Sequence, residues 1–185
     1  MKNHLFFLLL SITIFSCSKQ TPLTEKFKCK SVKINNLESV YDFNKNFKIR
    51  IPTSWKTNLY YDKYESSVFA ADTLRELTDS YILGTSFTYG KLDFNEAYIK
   101  KIDSVLTVNS LEKIDEGNEL FKTKKTYWYL VKGKKNGFPY QQFNLTVKLS
   151  ENTYFNAYSE VYGEDNIHRR TCESISIIEK IEFLQ

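Results

Sequence analysis

Histidine is nearly missing from this chain: it has two in 185 residues, His4 and His168. With His4 set aside in the N-terminal apolar segment, any Ser-His-Asp or Cys-His arrangement would have to use His168. That residue sits in the arginine-flanked stretch "IHRRTC" (167–172), with no nucleophile elbow beside it. His168 lies one helical turn before Cys172 and could supply half a metal site, but no second histidine completes it, so a hydrogen-bonded structural role is expected. CxxC and HExxH are absent. Glycine is sparse as well: Gly84, Gly90, Gly117, Gly133, Gly137 and Gly163 never fall at the spacing of a phosphate loop or a dinucleotide turn. Carboxylates such as Asp62 and Glu65, or Asp115 and Glu116, could pair only through folding and are read as solvated surface. No internal repeat or low-complexity tract occurs, and no run approaches the roughly 20 apolar residues of a membrane-spanning helix. These absences predict no catalytic set, no metal and no cofactor, and hence a protein that is not an enzyme.

What is present begins with "LFFLLLSITIFSCSKQ" (5–20). Eleven residues from Leu5 to Phe15, interrupted only by Ser11 and Thr13, follow the positive Lys2 and end at the small Ser16. That is signal-peptide length, too short to span, so residues 1–16 are expected to be removed. The motif "IFSC" resembles the bacterial lipobox, with Phe15 departing from the small or branched residue usual at that position. The resemblance implies that Cys17 carries the lipid, and several acyl chains would hold the protein firmly, at about 0.8 kcal/mol per buried methylene. Ser18 in place of Asp implies outer-membrane sorting, and the lack of an acidic cluster after Cys17 implies the periplasmic face.

The remaining length suits one domain, with residues 17–37 as a lipidated tether and 38–185 as the folded part. Hydrophobic residues at 42% exclude a disordered chain, and 13 Tyr with 14 Phe favour strands over a helical bundle. The formal charge is only +4 and the basic residues are scattered. The densest runs, "KTKK" (122–125) and "KGKK" (132–135), look like solvated turns, so nucleic acid is not an expected partner. With Cys17 taken by lipid, Cys29 and Cys172 remain in an oxidising compartment, where a disulfide is expected and two buried free thiols are the alternative.

Along the chain, "SKQTPLTEKFKCK" (18–30) has no periodicity and reads as tether. Phe47, Ile49 and Ile51 alternate with Lys48 and Arg50 in a half-buried strand ended by Pro52. Strands are expected around Tyr60–Tyr61, over 66–72 and over 81–90, with their aromatics in the sheet core. Phe94, Ala97, Tyr98, Ile102, Val105 and Leu106 recur at helical spacing, predicting a helix over 94–107 capped by Asp93 with Glu96. Three strand-like runs after Gly117 form an antiparallel meander. Ile167, Thr171, Ser174, Ile175 and Ile178 mark a C-terminal helix with Glu164 or Asp165 as cap, and "EKIEF" closes as a short strand. Strands, helix, strands, helix is the order of an α+β domain on an antiparallel sheet.

The strand "FKIRIPTSW", the mid-chain helix, the meander and the helix ending in "SISIIEKIEF" together resemble the PsbP-like fold over residues 38–185. That fold is shared by the photosystem II extrinsic subunit, a Ran-binding nuclear import factor and many bacterial envelope lipoproteins. A lipocalin-like barrel or another α/β sandwich would fit the same element order. The resemblance implies a protein that binds or supports an envelope protein complex, with a carrier for a small apolar or sugar-containing ligand as the second reading and a hydrolase as the third. Nine aromatics of the meander, from Tyr127 to Tyr158, are too many for one face. One set is expected in the core and one under a helix, with an exposed partner surface as the other option. "DTL" (72–74) and "DSV" (103–105) resemble a bacterial O-glycosylation acceptor, Thr73 in a loop being the better candidate and Ser104 lying on the helix. "NLT" (144–146) falls mid-strand and is read as unmodified.

Overall fold

The computed structural model describes residues 22–30 and 33–184. The expected leader 1–16 and Cys17 lie outside the described residues. The alternating "FKIRIP" forms β2 (Phe47–Pro52), which pairs antiparallel with β1 (Leu37–Tyr41) on one side and with the closing strand β10 (Glu182–Phe183) on the other. A second, seven-stranded sheet holds β3 (Lys56–Tyr61), β4 (Glu65–Ala71), β5 (Ile82–Tyr89), β6 (Glu112–Gly117), β7 (Thr126–Lys135), β8 (Phe138–Lys148) and β9 (Thr153–Tyr162). Its spatial order is β3-β4-β5-β9-β8-β7-β6, antiparallel throughout, with β3 and β6 as the two edges.

Alternation sends Phe47, Ile49 and Ile51 of the small sheet against Leu83, Phe87, Phe143, Leu145, Val147 and Phe155 of the large one. Ile175 and Ile178 of α3 (Ile167–Ile178) close the same core. α3 also buries Arg170, which carries no apolar signal; its guanidinium donates to the carbonyls of Ser80 (2.9 Å) and Tyr162 (2.7 Å). The opposite sheet face carries Tyr127, Tyr129, Thr146, Asn156 and Tyr158. α2 (Glu96–Val108) lies across part of it, the Tyr98 hydroxyl donating to Thr146 Oγ1 at 3.1 Å.

Three expectations are corrected. α2 is capped by Asn95, whose side chain accepts from the Tyr98 amide, because Asp93 is held instead by Lys148 at 2.7 Å. α3 is preceded by Asn166 in a left-handed turn that makes no side-chain cap, so neither Glu164 nor Asp165 serves. The third concerns the tether. Pro22–Cys29 is docked against the domain: α1 (Leu23–Lys26) buries Leu23, Thr24 hydrogen-bonds to Glu179, and Phe27 packs on Trp128 and Phe143. Two apolar residues are too few to show a period, and their partners lie a hundred residues or more away. Cys29 is bonded to Cys172, with Cα atoms 5.4 Å apart, tying this segment to α3.

Candidate functional site

The two edges of the large sheet differ in chemistry. β6, "EKIDEG", is charged and carries a bulge between Lys113 and Asp115, both of which discourage another strand from pairing. β3, "KTNLYY", pairs with β4 without interruption and has one lysine, at its first position. Leu59, Tyr60 and Tyr61 are 45%, 57% and 59% exposed, as side chains of an edge strand that is only partly covered on its two faces. Tyr64, in the turn after β3, is equally open, and Phe43 from the β1–β2 turn stacks on Tyr61 with ring centroids 3.7 Å apart. Tyr60 leans on Phe69 of β4, at 5.5 Å. This is a contiguous aromatic edge beside open backbone hydrogen-bonding groups.

Tyr60 and Tyr61 are thus corrected from sheet core to surface. The meander shows the reverse. Trp128, Phe143 and Phe155 are in the core, Tyr127 and Tyr140 are buried on the other face, and Phe138 at the hairpin end is exposed.

Beside α2 an open groove of about 690 Å³ is lined by Phe94, Ile99, Asp103, Glu116 and Tyr127. Lys113 Nζ reaches Asp103 Oδ1 at 2.8 Å, Glu116 Oε2 at 2.9 Å and the Tyr127 hydroxyl at 3.3 Å, while that hydroxyl donates to Glu116. Partial burial would lower the Lys113 pKa, but hydrogen bonds to Asp103, Glu116 and Tyr127 outweigh it and hold the ammonium above its ordinary range. The Tyr127 and Lys113 hydrogen bonds hold Glu116 below the usual carboxylate value, and burial with the Glu116 contact pushes Tyr127 up. Each group is fixed in the protonation state it already has at neutral pH.

His168 Nε2 lies 3.1 Å from the Phe27 carbonyl oxygen, and its ring lies against the Cys172 sulfur of the disulfide. Among the described residues no group of three His, Cys, Asp or Glu could hold a metal, and no helix is long and apolar enough to cross a membrane. Thr73 is exposed in the turn after β4, beside Asp72, whose Oδ1 accepts from the Leu74 amide. Ser104 donates to the Lys100 carbonyl within α2.

No family model matches the chain, and no curated protein matches it in sequence. Among solved structures it is similar to the cyanobacterial PsbP of Synechocystis sp. PCC 6803, with a TM-score of 0.61 at 12% identity over 84% of this chain and 96% of that one. It is also similar to a point mutant of the protein Mog1, with a TM-score of 0.56 at 11% identity over 81% of this chain and 97% of that one. The chain folds as a PsbP-like α+β domain.

Proposed function

We propose that this protein is a non-catalytic binding module of the cell envelope, held at the outer membrane by lipid on Cys17 and facing the periplasm. Residues 1–16 are its leader. It binds an envelope protein along the β3 edge, and the observation that carries this reading is the contrast between the two sheet edges. The charged, bulged β6 repels a further strand, while β3 offers main-chain groups that pair with no strand among the described residues, flanked by Leu59, Tyr60, Tyr61 and Phe43. An added strand gains affinity from main-chain hydrogen bonds and specificity from alternate side chains, and aromatic anchors dominate such interfaces. Thr73, exposed in its turn, is the proposed O-glycosylation site. A carrier is the second reading, supported by the groove beside α2, whose volume falls in the range of ligand pockets.

A photo-crosslinking residue placed at Tyr60 in intact cells tests the edge, with the same residue at Glu112 on β6 as the comparison. A discrete adduct from position 60 that disappears in a Leu59→Lys, Tyr61→Lys background supports it. Equal adducts from both edges, or one that survives the lysines, would overturn it.

A further inference from the structure

The lysines around the docked N-terminal segment play no part in the β3 edge. Lys28 and Lys30 leave that segment as exposed cations on either side of Cys29. Lys122 and Lys124 are exposed on a tight turn closed by the Phe121–Lys124 bridge, and Leu120 beside it is 48% exposed. Lys26 joins the two stretches: it pairs with Glu119 at 3.0 Å and lies over the Trp128 ring. The acids facing this surface include Glu119, already paired with Lys26 and Trp128, the exposed Glu25, and the exposed Asp115, whose charge acts on Lys26; the lysines outnumber them.

Chain length decides what this surface can meet. Four residues lie between Cys17 and Pro22, where the docked segment begins, which makes five residue steps along the chain. Fully extended, those five steps reach at most about 18 Å. The seven-stranded sheet is wider than that leash, since its six strand spacings amount to roughly 29 Å. A domain tied this closely cannot present its surfaces to the membrane at random; the side that carries α1 stays nearest.

We propose that the surface of Lys28, Lys30, Lys122, Lys124 and Leu120 rests on the anionic phospholipid headgroups of the membrane that holds the anchor. This rests on the acylation of Cys17. The sign of the charge matches, juxtamembrane lysines are drawn to anionic lipid, and the exposed leucine suits the headgroup boundary. The consequence reaches the binding edge. Trp128, against which α1 sits, is on β7, and β3 stands five strands away, about 24 Å. The contact turns β3 away from the bilayer and toward a partner.

The test uses the full acylated protein reconstituted into vesicles of phosphatidylcholine alone or of equal parts phosphatidylcholine and phosphatidylglycerol. Lysine acylation by a water-soluble reagent is read by mass spectrometry. On the anionic vesicles labelling of Lys28, Lys30, Lys122 and Lys124 should slow by about fivefold each, and recover at high salt, while Lys56 and Lys132 are unchanged. A Lys28→Glu, Lys122→Glu, Lys124→Glu variant should stay attached yet give Lys30 no protection. Attachment with the same labelling on both vesicles overturns the lipid contact alone and leaves an acidic protein as the occupant of this surface. A chain that sediments free of both vesicles overturns the anchor and this contact together.

Discussion

Phe27 stands edge-on to Trp128, with ring centroids 5.0 Å apart, and meets Phe143 in the same way at 5.5 Å. Trp128 is fully buried, and Phe27 is part of what covers it. The residues from Leu23 to Phe27, ahead of Cys29, are therefore structural. Phe27→Ala should lower stability by about 2 kcal/mol, less than the ~3–5 of a fully enclosed phenylalanine because Phe27 is half-buried. Denaturant unfolding would measure the loss, and tryptophan emission should move to longer wavelength as water reaches Trp128. An unchanged midpoint would show that the segment contributes nothing.

The Cys29–Cys172 bond closes a loop of 143 residues in sequence separation, and the chain-entropy model assigns such a loop about 5 kcal/mol. We expect Cys29→Ala, Cys172→Ala protein to unfold at markedly lower denaturant, with an early protease cut at Lys28 or Lys30 as α1 loosens. The oxidised protein should resist alkylation at both positions without denaturant. Two freely alkylated thiols under those conditions would reject the bridge.

How much of this was legible in the sequence follows from what each residue answers to. Strand alternation in β2 and the three long meander strands answers to local period, so element order and the α+β class could be read. β6 gives no such signal, because the charged "EKIDEG" is a strand through pairing with β7. Docking of Leu23 and Phe27 answers to partners far along the chain, and so does the choice of Asn95 over Asp93 as cap, which Lys148 decides. For the site, aromatic residues on a strand looked like core, and only the lateral order β3-β4-β5-β9-β8-β7-β6 reveals which strand has no neighbour. The charge and bulge of β6 beside the smoothness of β3 could have hinted at it, had both been known to be edges.

Lys113 sets a pH window. Glu116 has its folded pKa lowered from about 4.5, so its contribution is present above that value and lost as pH falls through the lowered one. The folded pKa of Lys113 is raised from about 10.5, so its contribution is complete below that value and lost as pH rises through the raised one. Lys113→Met should cost about 1–2 kcal/mol between these limits, a modest amount because Asp103 and Glu116 are half exposed and screened. The difference from the parent protein should shrink at both extremes of pH. Unfolding midpoints measured at acid, neutral and alkaline pH check this, and a constant difference would mean that the lysine acts through packing alone.

Leu59 and Tyr61 are exposed, so Leu59→Lys with Tyr61→Lys should leave the fold within about 1–2 kcal/mol, mostly the lost stack of Tyr61 on Phe43. If β3 takes a partner strand, two lysines on that edge add charge where the partner must be dry, and affinity should fall more than tenfold, about 1.4 kcal/mol or beyond. His168→Ala removes one contact to the Phe27 carbonyl and should cost about 1 kcal/mol of stability, with partner capture unchanged. Circular dichroism establishes that each variant is folded, and crosslinking yield in cells reads the partner. Folded lysine variants with full yield, beside a folded His168→Ala protein that has lost its cellular role, would move the working surface from the β3 edge to the junction of α1 and α3.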